Sequence, residues 1–317
     1  MHKVVMVPLD GSRFAEQAMP LALSMARRAR ASLRLVRVQP TFPLDSADGE
    51  AHRYLDRIAR QLETQVVEGI EQHVLMDESG PLEYSPPVSM GVADLLSRYA
   101  RSEQITFVVM ASHGHGGFRR AWLGSVADAL IRVLPCPLLL VRPADEAFST
   151  ALTADRWARH ILIPLDGSET AEAVIPCALD FGRPFEARYT LLRVVTPLSR
   201  SVVPYASGGA PPSRLSRAAA VAYLYDVAGR MRESGVVMAT QLIDGTSPAR
   251  TIVEFADSHG VDVIAMGTEG AGRARRLLLG SVTDKVVRSS NSPVLVCNAR
   301  HAVEANGRTE RQSVAAG

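Results

Sequence analysis

The chain has 317 residues, 47% of them hydrophobic and 21% charged, with a formal net charge of +2. This is globular composition, long enough for two domains of about 150 residues each. The arginines are scattered rather than gathered into a basic block, which argues against a nucleic-acid partner, and no apolar run reaches the roughly 18 residues of a membrane span.

Met1-His2-Lys3 leads straight into the apolar run 4–7, too short for a signal-peptide core, so a cytoplasmic protein is expected. Residues 4–7 read as a first strand. Ser12 is a good N-cap for a helix running to about residue 30, with Phe14, Ala18, Met19, Ala22, Met25 and Ala26 at helical spacing and Pro20 kinking it. A second strand covers 33–38, and a helix covers 52–70 with Leu55, Ile58, Leu62 and Val66 on one face. A third strand is expected at about 81–87, where Pro86-Pro87 confines it to a sheet edge. A helix at 92–101, a strand at 105–110, a helix at 125–134 and a strand at 138–141 complete the pattern.

The pattern then repeats. Val7-Pro8-Leu9-Asp10-Gly11-Ser12 returns as Ile163-Pro164-Leu165-Asp166-Gly167-Ser168, an offset of 156. Pro20 and Pro176, Ala93 and Ala249, Gly114 and Gly270, Gly124-Ser125 and Gly280-Ser281, and Pro137 and Pro293 keep that offset, so any insertion must be balanced within its half. The period far exceeds a solenoid repeat, and each copy is read as a domain with its own core. In the second copy strands are expected at 160–164, 189–194, 237–243, 261–266 and 294–297. Domain 1 is assigned to 1–145, a polar, alanine-rich linker to 146–156, domain 2 to 157–300 and a tail without apolar periodicity to 301–317.

Strands alternate with helices and are apolar throughout, which predicts a parallel sheet buried on both faces. The fold class is therefore α/β: two tandem doubly wound, Rossmann-like domains, each a five-stranded parallel sheet with helices on both faces and strand order 3-2-1-4-5. In such sheets a ligand sits beyond the carboxyl ends of the strands at the switch point, here between the first and fourth strands. The last strands, 138–141 and 294–297, are apolar edges that need covering, and are expected to pair with each other about a pseudo-two-fold axis. Dimerisation of the whole chain stays open.

After the fourth strand of the second copy comes Met266-Gly267-Thr268-Glu269-Gly270, and nine residues separate Gly270 from Gly280-Ser281: G-x-x-G-x9-G-S. Backbone N–H groups can reach a phosphate where no Cβ intervenes, and Gly280-Ser281 opens a helix whose N-terminus favours an anion. It is neither a Walker loop nor G-x-G-x-x-G, and the alternative is that the glycines only cap and turn the chain. Arg119 and Arg120, with Arg273, Arg275 and Arg276, lie within the nine-residue span and either reach phosphate or face solvent. His113 and His115 have Glu269 and Ala271 as counterparts and no evident third ligand, so no metal site is assigned. Cys136, Cys177 and Cys297 form no C-x-x-C pair and are expected to be buried reduced thiols.

The V-P-L-D-G-S opening, the G-x-x-G-x9-G-S loop and the closing P-C-P-L-L-L-V and S-P-V-L-V strands resemble the universal stress protein family in its tandem two-domain form. The resemblance covers both halves and implies ATP or another adenine nucleotide as ligand, with Mg2+ carried by the nucleotide. It further implies that Asp166 contacts the adenosine, with Pro164 beside it and Val194 lining the pocket. Met266 and Gly267 would lie against the nucleoside, and Gly270, Gly280, Ser281 and Val282 would hold ribose and phosphates. The same roles fall in the first half on Pro8, Asp10, Val38, Met110, Gly114, Gly124, Ser125 and Val126. The departure is Ala111, which stands where the second copy has Gly267.

No catalytic constellation is identifiable, and phosphoryl transfer would need a positioned base or water-orienting group. The resemblance implies a regulatory nucleotide sensor in stress adaptation or growth arrest that a protein partner reads. The alternatives are a slow ATPase or nucleotidyl-transfer enzyme, and an interaction module with a vestigial first pocket.

Overall fold

The computed structural model describes residues 3–40, 48–63, 68–77, 88–112, 123–142, 157–196, 212–268 and 279–297. The first half runs β1 (Lys3–Pro8), α1 (Arg13–Glu16), α2 (Met19–Ala29), β2 (Ala31–Pro40), α3 (Asp48–Leu62), β3 (Ile70–Asp77), α4 (Val88–Ser102), β4 (Phe107–Ala111), α5 (Ser125–Val133) and β5 (Leu138–Val141). The second runs β6 (His160–Pro164), α6 (Glu169–Glu172), α7 (Val174–Gly182), a 3-10 turn (Arg183–Phe185), β7 (Arg188–Val195), α8 (Pro212–Glu233), β8 (Met238–Asp244), α9 (Pro248–Ser258), β9 (Val263–Gly267), α10 (Ser281–Ser289) and β10 (Val294–Cys297).

The ten strands form one sheet, ordered β3-β2-β1-β4-β5-β10-β9-β6-β7-β8. Each half contributes five parallel strands in the order 3-2-1-4-5, as expected from the alternating pattern. The halves join through an antiparallel pairing of β5 with β10: Leu138 faces Val296, Leu139 faces Leu295 and Leu140 faces Val294. Leu295 is the repeat equivalent of Leu139, so the pseudo-two-fold axis passes through that pair. Off the sheet, Arg288 of α10 reaches Asp128 of α5 at 3.6 Å, and Arg142 donates to the Asn291 side chain at 3.0 Å.

Because successive strand residues point to opposite faces, the core divides into two apolar layers, each continuous through both halves. Val5, Val7, Val109 and Ile163 pack with α2, α3, α7 and α8, whereas Met6, Val108, Leu162 and Ile264 pack with α4, α5, α9 and α10. In the first layer Phe107 meets Phe181 edge-on across the halves at 6.0 Å, and Trp157 packs against Phe181 and Phe185. The expected linker 146–156 lies outside the described residues, but Trp157, at the proposed start of domain 2, is buried in this layer.

Four expectations are corrected. The helix expected from Ser12 to about residue 30 is two helices: α1 ends at Glu16, and Pro20 sits in the first turn of α2, where its missing N–H leaves no bond unmade. The helix expected over 52–70 ends at Leu62, and Ile70 opens β3 instead. The third strand is therefore Ile70–Asp77 rather than 81–87, and Pro86-Pro87 fall outside the described residues. Register explains the shift: Val36 faces His73 in the first half, but its equivalent Leu192 faces Gln241 in the second. The longer connection before β8 is offset by a longer one after β3, so the offset of 156 returns by Ala93 and Ala249. The expected edge position holds, since β3 and β8 end the ten-stranded sheet.

The fourth correction concerns the thiols. Cys177 on α7 and Cys297 at the end of β10 form a disulfide, with Cα atoms 6.7 Å apart. Their separation of 120 residues carries no pairing signal; the bond forms because α7 packs against the end of β10. Cys136 is free and buried, and burial pushes its pKa up to about 12.

Candidate functional site

Each half builds its site from the same three places at the carboxyl edge of the sheet. The first is the turn after the first strand. The ladder continues one residue past β1, with Leu9 N donating to Val36 O at 2.8 Å, and past β6, with Leu165 N donating to Leu192 O at 2.8 Å. The chain then turns at Gly11 (φ +86°) and Gly167 (φ +87°), in the left-handed region that glycine enters at little cost. The Asp10 carboxylate accepts from Ser12 N at 2.9 Å, and Asp166 accepts from Ser168 N at 3.0 Å and from the Ser168 hydroxyl. Ser12 and Ser168 in turn cap α1 and α6 by accepting from Ala15 N and Ala171 N at 3.1 and 3.2 Å. Both aspartates are exposed, and the bond from the serine N–H orients each carboxylate.

The second place is the end of the fourth strand. β4 and β9 lie beside β1 and β6, with Met6 facing Val108 and Leu162 facing Ile264. Ser112 N donates to Val141 O at 2.8 Å and Gly124 N returns to Ser112 O at 2.7 Å; Thr268 N donates to Cys297 O at 3.0 Å and Gly280 N returns to Thr268 O at 2.7 Å. The same bond thus closes the base of each glycine loop. The loops themselves, with Gly114, Gly270, His113, His115 and the five arginines, fall on 113–122 and 269–278, outside the described residues.

The third place is the start of the next helix. Gly124 and Gly280 are N-caps of α5 and α10 and bring no capping side chain of their own, and a helix N-terminus of this kind suits an anionic acceptor. Ser125 and Ser281 are exposed at the first helical position. Asp128 and Asp284, which would oppose an anion there, pair with Arg132 and Arg288 at 3.1 and 2.8 Å.

The apolar candidates share one side of the sheet. Val38, Met110 and Val126 belong to the layer that contains α4 and α5, and Val194, Met266 and Val282 to its counterpart in the second half. Pro8 and Pro164 end their strands half-buried. The structure therefore gathers the described candidates of each half around one switch point.

Ala111 continues β4 opposite Val141, as Gly267 continues β9 opposite Cys297. Neither position has a positive φ, so the backbone there does not require glycine. The halves differ at a place the sequence did not flag: Thr283 Oγ1 donates to Gly267 O at 2.8 Å, whereas the repeat equivalent of Thr283 is Ala127. Arg37 and Arg193 are further residues of the site that no motif marks. Their signal was a charged residue at the same place in two otherwise apolar strand ends, L-V-R-V and L-L-R-V. Among the described residues, no cluster of three or more His, Cys, Asp or Glu could hold a metal, and no helix is long and apolar enough to cross a membrane.

The sequence pattern of the Universal stress protein family matches residues 1–142 and 158–298. A universal stress protein of Methanocaldococcus jannaschii is 33% identical over 138 residues, 44% of this chain and 81% of that protein. One from Mycobacterium tuberculosis is 26% identical over 196 residues, 62% of each chain. The crystal structure of a universal stress protein from Archaeoglobus fulgidus superposes with a TM-score of 0.67 at 18% identity, covering 93% of this chain and 98% of that one, a likeness of fold across both halves. Matched by its pattern in each half, the chain belongs to the universal stress protein family.

Proposed function

We propose that the protein binds an adenine nucleotide, with ATP as the leading candidate, at one site in each half, and acts in the cytoplasm as a regulatory nucleotide sensor in stress adaptation or growth arrest. The observation that carries this reading is the duplicated convergence at the switch point: an oriented carboxylate, an apolar trio and a helix N-terminus without a side-chain cap. The carboxylate suits ribose hydroxyls or an adenine amino group, the trio suits a flat base, and the helix end suits phosphate. Asp10 with Pro8, Val38, Met110 and Ala111, and Asp166 with Pro164, Val194, Met266 and Gly267, would hold the nucleoside. Gly114, Gly124, Ser125 and Val126, and Gly270, Gly280, Ser281 and Val282, would hold ribose and phosphates. Magnesium would arrive with the nucleotide, coordinated by its phosphates. Occupancy would be read by a protein partner.

The test is to purify the chain without added nucleotide, denature it, and identify and count what is released by chromatography, alongside Gly114→Val and Gly270→Val variants. Near two equivalents of adenine nucleotide per chain is expected, with one lost in each variant. One equivalent, lost only with Gly270→Val, would assign binding to the second site alone. No release, together with no binding on adding millimolar ATP, would overturn the nucleotide reading.

A further inference from the structure

We propose that Arg37 and Arg193 are positioning residues, each fixing the Asp-Gly-Ser turn beside it so that Asp10 or Asp166 is held ready for the nucleoside. This inference rests on the nucleotide reading above and deepens it. Strand alternation sends Arg37 and Arg193 to the face opposite Val38 and Val194, away from the apolar trio, so they act through the turn rather than on the ligand.

Each guanidinium lies across the glycine of its turn. A Cβ built on Gly11 would sit 3.4 Å from both terminal nitrogens of Arg37, and one on Gly167 would sit 3.7 and 3.8 Å from those of Arg193. Arg193 Nη1 also donates to the carbonyl of Leu165, the residue before Asp166, at 3.2 Å. The glycine therefore serves twice, taking the left-handed backbone and leaving a surface on which the planar guanidinium lies.

The arginines are themselves held from behind. Arg37 lies over the Tyr54 ring at 5.2 Å, and Arg57 packs on the same ring at 5.2 Å while pairing with Glu16 at 3.1 Å. In the second half Tyr223 is the tyrosine within electrostatic reach of the turn: burial and the neighbouring Glu172 push its pKa up, while Arg193 opposes them. Glu172, the repeat equivalent of Glu16, pairs with Arg230 at 2.6 Å. Arg57 is three residues after Tyr54, whereas Arg230 is seven after Tyr223, one helical turn further along. Both halves thus bring a tyrosine, a glutamate and a second arginine to the neighbourhood of the turn, from different helix positions.

The experiment measures adenosine and ATP affinity by calorimetry in the Gly114→Val chain, so that only the second site reports. Arg193→Met is expected to weaken adenosine and ATP by the same factor, about tenfold, leaving the preference for ATP over adenosine unchanged because the helix end that takes phosphate is untouched. In an Asp166→Ala background, Arg193→Met is expected to have no further effect, since a positioning residue has nothing left to position. Arg193→Lys keeps one donor for the Leu165 carbonyl and is expected to recover part of the loss; it also serves as the probe if the methionine variant does not fold. Additive losses in the double variant, an unchanged affinity in Arg193→Met, or a selective loss of ATP would each overturn the inference while leaving the nucleotide reading in place. A parent chain that binds neither adenosine nor ATP would overturn that reading and this inference with it.

Discussion

His160 is a buried histidine whose protonation state its neighbours dictate. Its Nδ1 lies 3.2 Å from Arg188 Nη2 and its Nε2 lies 2.8 Å from Thr190 Oγ1. Arginine can only donate, so Nδ1 accepts and the ring proton sits on Nε2. Burial pushes the His160 pKa down and Arg188 adds to this, while the carbonyls of Gly260 and His259 and the Asp262 carboxylate pull the other way. With its pKa depressed on folding, the unfolded chain takes up the proton first as pH falls. The contribution is therefore present above the ordinary histidine value near 6.5 and lost as pH drops below it. Urea denaturation between pH 7.5 and 5.5 should show stability declining toward the acid end, and His160→Gln should flatten that decline. An equal slope in the variant would assign the dependence elsewhere. At Ala111 the sequence shows the departure from glycine but not its effect: whether glycine is needed depends on φ, and no sequence shows that the position is ordinary extended strand.

Among the elements, α1 and α6 are four-residue helices that would not persist alone, since nucleating a helix costs more than so few bonds return. Their serine caps therefore matter to the turns that carry Asp10 and Asp166. Ser168→Ala is expected to cost about 1 kcal/mol in chemical denaturation and to weaken adenosine binding at the second site. A variant with unchanged stability and affinity would mean that packing alone holds the turn. Strands were legible wherever they are buried on both faces: β5, β6 and β10 fall where their apolar runs place them, because continuous valine, leucine and isoleucine at strand length has few other readings. The miss came at the edge. β3 is half exposed and lacks a clean alternation, while the helical spacing of Leu55, Ile58 and Leu62 ran on to Val66 and drew the expected helix too far. The spacing around Pro20 fits a helix interior and so predicts a kink; only the break after Glu16 places it in a first turn.

At the scale of the molecule, the pairing of β5 with β10 was readable because two apolar final strands at sheet edges need covering, whereas the disulfide was not, because its half-cystines meet only after the fold is complete. Leu21 and Val141 occupy the equivalent places in the first half, so the cross-link belongs to the second half alone. A disulfide typically stabilises by on the order of 2–4 kcal/mol, and by more the longer the loop it closes. Reduction should accordingly lower the thermal midpoint, and a Cys177→Ala chain should melt at that lower temperature with or without reductant. Thiol titration should find one reactive cysteine in the denatured oxidised chain and three after reduction. The native chain should react poorly, because burial holds Cys136 as the thiol. Three thiols in the unreduced denatured chain would rule the bond out.

The antiparallel seam at Leu139 and Leu295 has an evolutionary corollary. Two identical subunits meeting this way would inherit every mutation in duplicate, and a change that suited one pocket would be imposed on the other. Once both lobes lie in one reading frame, selection can act on each alone. Alanine against glycine, alanine against threonine, and leucine and valine against a cystine are the differences such freedom allows, and they leave the axis itself undisturbed.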